Sequence, residues 1–301
     1  MFIFAPMQAL GYYLSLPFIY FLSILPYRVL MVFSDLLYLI LFYVMRYRRD
    51  VVDKNLRNSF PEKSDKEIMA ITKKFYHALA DTFIETIKSL TMSKKAILKR
   101  CHFQNLDLVD HYVNQNRNVL LVLGHYSNWE WTGAWMGLSA GKEVVAAFKP
   151  LKNKYFNNLM FRSRSNFKMK LIPKRQLLKY LETNKNANRQ TTLILISDQS
   201  PNPKEHHWVK FLNQDTAVVT GMEKIARQYD YTVIFATIHP IKRGYYSVIF
   251  TLLTENAASL PPQELTRLFM KKLEEDIIAN PAPYLWSHRR WKLKKPATAH
   301  T

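Results

Sequence analysis

Hydrophobic positions along this chain fall into distinct patterns, and each predicts a different kind of structure. From Met1 to Tyr27 there is no charged residue, and from Val29 to Met45 only Asp35 is charged before Arg46, Arg48 and Arg49 close the region. The first stretch exceeds the roughly 20 apolar residues that cross a bilayer, while Pro6, Pro17 and Pro26 are placed to break or kink helices within it. Further on, Ile68, Ile71, Phe75, Leu79, Phe83 and Ile87 recur at helical spacing behind Ser64 or Asp65 as a cap, which predicts a helix to about Leu90. A shorter basic helix covers 94–100. Strand-like runs follow at 103–106 (weakly), 119–123, 143–148, 191–197, 231–238 and 245–253. Helical patterns separate them at 129–138, 155–166, 175–184 and 218–229, and a last helix runs from about Pro262 to Ala279.

Strands alternating with helices predict an α/β domain with a sheet sandwiched between helices. The last two strands lie close enough to form an antiparallel hairpin, so the sheet is expected to be mixed. We divide the chain into an N-terminal apolar membrane-anchoring helical segment with its basic flank, residues 1–49, and one domain over 50–301.

Charge narrows the choice of partner. The formal net charge of +20 calls for an anionic partner, and beside an apolar, aromatic N-terminus it points to a lipid surface rather than nucleic acid. No basic segment precedes the apolar stretch, which argues against a cleavable signal peptide. The arginine cluster places the rest of the chain on the cytoplasmic side. Cys101 is the single cysteine, which excludes an internal disulfide and a cysteine-rich zinc site. No glycine-rich phosphate loop or GxSxG elbow is present, and His206-His207 lacks spaced partners, so no metal is expected there. Of seven glycines, Gly124, Gly133, Gly137 and Gly141 crowd into one segment, as turns or as places of close backbone approach.

That segment also carries the candidate chemistry. His125 follows the apolar strand 119–123, and Glu130 lies five residues on, where a helix begins. Ligands in open α/β sheets bind outside the carboxyl ends of strands, and a helix N-terminus there adds donors for an oxyanion. A histidine base oriented by a carboxylate suits acyl transfer to a hydroxyl. Spacing alone is weak, since His102 and Asp107 repeat it, but His102 has no comparable strand before it. Arg162 and Arg164 end a helical segment and suit a carboxylate, a phosphate or an oxyanion, or a solvated basic face. Asp198 follows another strand and either faces the same crevice or caps a turn. The basic, aromatic tail 286–292 suits lipid headgroups or an anionic carrier.

Taken in order, these segments resemble the lipid A biosynthesis acyltransferase family, the bacterial late acyltransferases that place lauroyl- or myristoyl-type chains on hydroxyls of primary acyl chains. The likeness covers most of the chain. It comprises the apolar N-terminus with its basic flank, Asn55 with Phe60-Pro61, and Gly124-His125 followed by Glu130. It continues through Lys149-Pro150-Leu151, Arg162 with Arg164-Ser165-Asn166, and Asp198-Gln199. Trp208-Val209 with Phe211, and the block from Pro283 to Lys292, complete it. Asn213 stands where the family usually has glycine. The resemblance implies an acyl carrier protein thioester as donor, an anionic glycolipid bearing a 3-hydroxyacyl chain as acceptor, and no cofactor. It implies His125 as general base with Glu130 orienting it, Arg162 and Arg164 binding acceptor phosphate or stabilising charge, and Asp198 as the acid after its strand, with a structural role open. Trp129, Trp131 and Trp135 are candidates to line an acyl groove. The implied location is the cytoplasmic face of the bacterial inner membrane. An acyltransferase for a glycerolipid or an aminolipid, and a non-catalytic basic adaptor, remain alternatives.

Overall fold

Asn118–Leu123 is a run of apolar residues without polar alternation, the pattern of a strand covered on both faces. In the computed structural model, which describes residues 4–139, 143–202 and 207–296, it is β2, inside a seven-stranded sheet. Gly141, Pro203 and His206 lie outside the described residues. In chain order the elements are α1 (Phe4–Ile24), α2 (Tyr27–Leu39) continued by a π-helical turn (Ile40–Val44), α3 (Arg49–Ser59), α4 (Asp65–Lys88), α5 (Lys94–Arg100), β1 (Cys101–Phe103), α6 (Asp107–Asn114), β2, α7 (Trp129–Ser139), β3 (Val144–Phe148), α8 (Lys154–Ser165) and β4 (Met169–Pro173). Then come α9 (Leu177–Asn186), β5 (Thr192–Ile196), β6 (His207–Phe211), β7 (Gln214–Val218), α10 (Gly221–Gln228), β8 (Tyr231–Lys242), β9 (Tyr245–Thr254) and α11 (Glu264–Ala279).

The sheet order is β1-β9-β8-β2-β5-β3-β4, parallel except for the antiparallel β8–β9 hairpin, so it is mixed as expected. Alternate residues of β2 feed two hydrophobic clusters: Leu120 and Val122 join one with α4 and α11, while Val119, Leu121 and Leu123 join another with α6 and α7. That alternation follows from the two-residue period of a strand. The α4 cap is the expected Ser64, in a reciprocal capping box with Glu67.

Four features depart from the sequence reading. Strand β4 and the β6–β7 hairpin have no counterpart in it, and the polar stretch around 50–58 is helix α3, whose Val52 and Leu56 are fully buried. Helix α1 runs through Pro17, and the chain breaks instead before Pro26, which precedes α2. Asn213 takes φ +62° beside Leu212 at φ +50°. Asparagine is among the residues that best tolerate this left-handed backbone.

The glycine segment is partly about close approach. A Cβ on Gly124 would lie 2.6 Å from a Leu273 methyl, and one on Gly137 would overlap the Phe167 carbonyl oxygen. At Gly133 the space is ordinary.

The N-terminal hairpin packs on α4. Ser34 donates to Asp81, and Arg243 bridges Asp35 at 2.6 Å and Asp81 at 2.7 Å. Its outer surface carries exposed Leu10, Leu14, Phe18, Val32, Leu36 and Val44. Tyr27–Val44 is long and apolar enough to cross a membrane.

Candidate active site

β2 and β5 are parallel neighbours, with Leu123 opposite Ile196. Extending that register by two residues past each strand end sets His125 against Asp198. The Asp198 carboxylate accepts from the His125 backbone N–H at 2.9 Å and meets the ring Nδ1 at 2.6 Å. The Asp198 side chain is 3% exposed and that of His125 is 16% exposed. Held this way, the ring turns its Nε2 away from Asp198, toward Gln199 at 3.3 Å. The Trp129 ring meets the imidazole edge-on, with centroids 5.1 Å apart.

Glu130 does not take a ring nitrogen of His125. It lies in the first turn of α7 and receives two bonds from Arg164, at 2.9 Å and 2.6 Å. The reason is geometric. The turn between His125 and α7 directs the ring back across the strand ends, where the β5 loop already offers a carboxylate. Glu130 acts on the ring by charge instead. Burial opposes the charged imidazole, but the charge and hydrogen bond of Asp198, with the charge of Glu130, outweigh it and raise the His125 pKa. Burial likewise works against an ionised Asp198, and His125 together with Arg290 offsets it, so the carboxyl stays below its ordinary range. The arrangement is an imidazole with one nitrogen fixed by an anion and the other met, among the described residues, only by the Gln199 amide at 3.3 Å, which suits proton abstraction from a hydroxyl.

The turn is over-determined. Ser127 adopts φ +56°, an uncommon conformation for a residue with a Cβ, and its N–H donates to Pro283 O at 3.0 Å. Leu285 N–H donates to His125 O at 3.1 Å, and Tyr126 bridges Tyr284. Asn128 Oδ1 accepts from Trp131 N–H and caps α7.

The tail 286–292 therefore builds the site rather than facing headgroups as a whole. Trp286 and Arg290 are buried, although Arg289 and Lys292 are exposed. Asn55 holds the carbonyls of Trp286 and His288, Arg48 holds that of Ser287, and Arg290 donates to Ala217 O. His288, pushed down to about 4 chiefly by burial, accepts from Ser200 N–H at 3.3 Å. No local signal shows that Asn55 and His288 meet, because 233 residues separate them.

The remaining candidates separate. Arg162 is exposed on the last turn of α8. His102 is exposed on β1, at the sheet edge, three places from β2. Trp131 is fully buried and donates to Glu85 O and Ser89 Oγ, and Trp135 stacks on Phe103, so these two indoles pack α7.

The profile described as bacterial lipid A biosynthesis acyltransferase matches residues 4–293. The chain belongs to that family. This family member is 23% identical over 253 residues to the lipid A biosynthesis palmitoleoyltransferase of Escherichia coli (strain K12), covering 83% of this chain and 80% of the relative. The same figures hold for the lipid A biosynthesis acyltransferase of Shigella flexneri. The lipid A biosynthesis lauroyltransferase of Escherichia coli (strain K12) is 22% identical over 254 residues, 83% of this chain and 81% of the relative.

Proposed function

We propose that this acyltransferase moves a fatty acyl chain from an acyl carrier protein thioester to a hydroxyl of a lipid A precursor, with His125 as general base. The observation that carries the reading is the His125–Asp198 pair at the carboxyl ends of β2 and β5, in a chain of this family. His125 Nε2 takes the hydroxyl proton as the oxygen attacks the thioester carbonyl. The tetrahedral oxyanion collapses, the carbon–sulfur bond breaks, and the imidazolium returns its proton to the departing thiolate. Asp198 fixes the tautomer and stabilises the imidazolium. Glu130 adds negative charge and aims Arg164 by their bidentate pair, and Arg164 stabilises the developing oxyanion. Exposed Arg162 binds phosphate of the anionic acceptor. No acyl-enzyme and no cofactor enter this sequence of steps.

The exposed apolar surface of α1 and α2 supports membrane anchoring, and the Arg46, Arg48 and Arg49 cluster behind it supports the cytoplasmic face of the inner membrane. Docking on α4 and the Asp35–Arg243–Asp81 bridge support a hairpin seated against the sheet domain, with its outer face toward lipid.

The test is incubation of membranes carrying the lipid A precursor with acyl carrier thioesters and the purified protein. We expect a mass gain of one acyl chain, lost in His125→Ala. Full transfer by folded His125→Ala would refute the mechanism, and no transfer by the unmodified protein would refute the assignment.

A further inference from the structure

One buried carboxylate takes no part in the steps above. Glu85, in the last turns of α4, is completely buried. Its Oε1 accepts from the Tyr27 hydroxyl at 2.5 Å, and its Oε2 accepts from the Tyr246 hydroxyl and from Asn128 Nδ2, both at 2.6 Å. These donors come from the start of α2, from β9 and from the turn after His125. Burying a carboxylate is costly unless donors compensate it, and here three do. Burial nevertheless dominates, opposed by those hydrogen bonds, and pushes its pKa up to about 7.

The contact with Asn128 has a direction. The Asn128 amide has two ends: Nδ2 donates to Glu85 while Oδ1 accepts from Trp131 N–H and caps α7. Without an acceptor at Glu85 Oε2, the Trp131 N–H alone is left to select which end of the amide faces the helix. The Trp131 indole, donating to the Glu85 backbone carbonyl, docks the same helical turn on α4. Asn128 lies three residues from His125 and two from Glu130.

We propose that Glu85 is a positioning residue for the reaction. By orienting Asn128 it sets the turn that carries His125 and the first turn of α7 that carries Glu130, and through Tyr27 it ties both to the N-terminal hairpin. This rests on the acyl-transfer reading above. A carboxylate suits the position because both its oxygens accept, whereas a glutamine turns a donor either toward Tyr27 or toward Tyr246 and Asn128 together.

The test exchanges the two ends of the contact. Glu85→Gln lowers kcat at least tenfold with KM for donor and acceptor within twofold. Asn128→Asp lowers kcat further, because two carboxylates then face each other. The double variant recovers at least tenfold over Asn128→Asp, since the amide introduced on α4 then donates to the carboxylate introduced in the turn, whose other oxygen still caps α7. Amide hydrogen exchange over 124–132 follows the same order. Unchanged kcat and exchange in Glu85→Gln, or a double variant no better than Asn128→Asp, would overturn the proposal. If Glu85→Gln does not fold, Tyr246→Phe takes its place: faster exchange over 124–132 and a threefold or larger fall in kcat are expected, and no change in either overturns it. Absence of transfer by the unmodified protein defeats the acyl-transfer reading instead, and the exchange pattern still decides the positioning role.

Discussion

Replacing Asp198 by Asn keeps the shape of the side chain and removes its charge, so it isolates what the carboxylate does for His125. Asp198 meets two groups of His125, the backbone N–H and ring Nδ1. An amide satisfies both only if its oxygen accepts from the backbone and its NH₂ donates to Nδ1. That forces the ring proton onto Nε2, the nitrogen proposed to act as base. The opposite amide orientation restores the competent tautomer but sets NH₂ against a buried N–H, at about 1–3 kcal/mol. Loss of the charge-assisted bond to the imidazolium adds roughly 1.5–3 kcal/mol. Together these are about 3–6 kcal/mol, a fall in kcat of about 10²- to 10⁴-fold. The pH profile moves in a defined direction. Asp198 helps hold the His125 pKa above its ordinary value against burial, so Asp198→Asn lets that pKa fall and shifts the acid limb of kcat/KM to lower pH. Thioester-dependent acylation followed from pH 5 to 9, with thermal unfolding as a control, measures both effects. A folded Asp198→Asn protein within threefold of the parent, with its acid limb unmoved, would refute the reasoning.

Arg164→Lys keeps the charge but loses the planar two-bond contact with Glu130. We expect a fall in kcat of about tenfold, measured in the same assay. Gly137→Ala should destabilise more than Gly124→Ala, because its Cβ meets the Phe167 backbone whereas the other meets the end of a Leu273 side chain. We expect about 1–3 kcal/mol for Gly124→Ala and more for Gly137→Ala by denaturant unfolding. Glu85, raised from 4.5 to about 7, contributes stability that is fully present below its unfolded pKa and is lost as pH rises through the folded one. Between pH 4.5 and 7.5 the protein should therefore lose about 3 kcal/mol that Glu85→Gln does not lose. Parallel unfolding curves at the two pH values check the difference.

Local sequence determined much of this protein because the relevant forces are local. The period of apolar residues marked α4 and its Ser64 cap, continuous apolar runs marked β2 and β5, and two strands close in sequence marked the β8–β9 hairpin. The same reading singled out His125 as a residue at a strand end. It passed over α3, where buried Val52 and Leu56 are the apolar part of one face in a mostly polar stretch, and β4, five residues long with exposed Lys170 within it. The pairing within the site was beyond it for a different reason. Spacing offered Glu130 to His125, but the strand order puts β2 beside β5, and their register brings in Asp198 from 73 residues away. That order is set by how helices cover both faces of the whole sheet, not by any window of sequence. The chain alone named the candidate base, and the tertiary structure chose the acid that holds it.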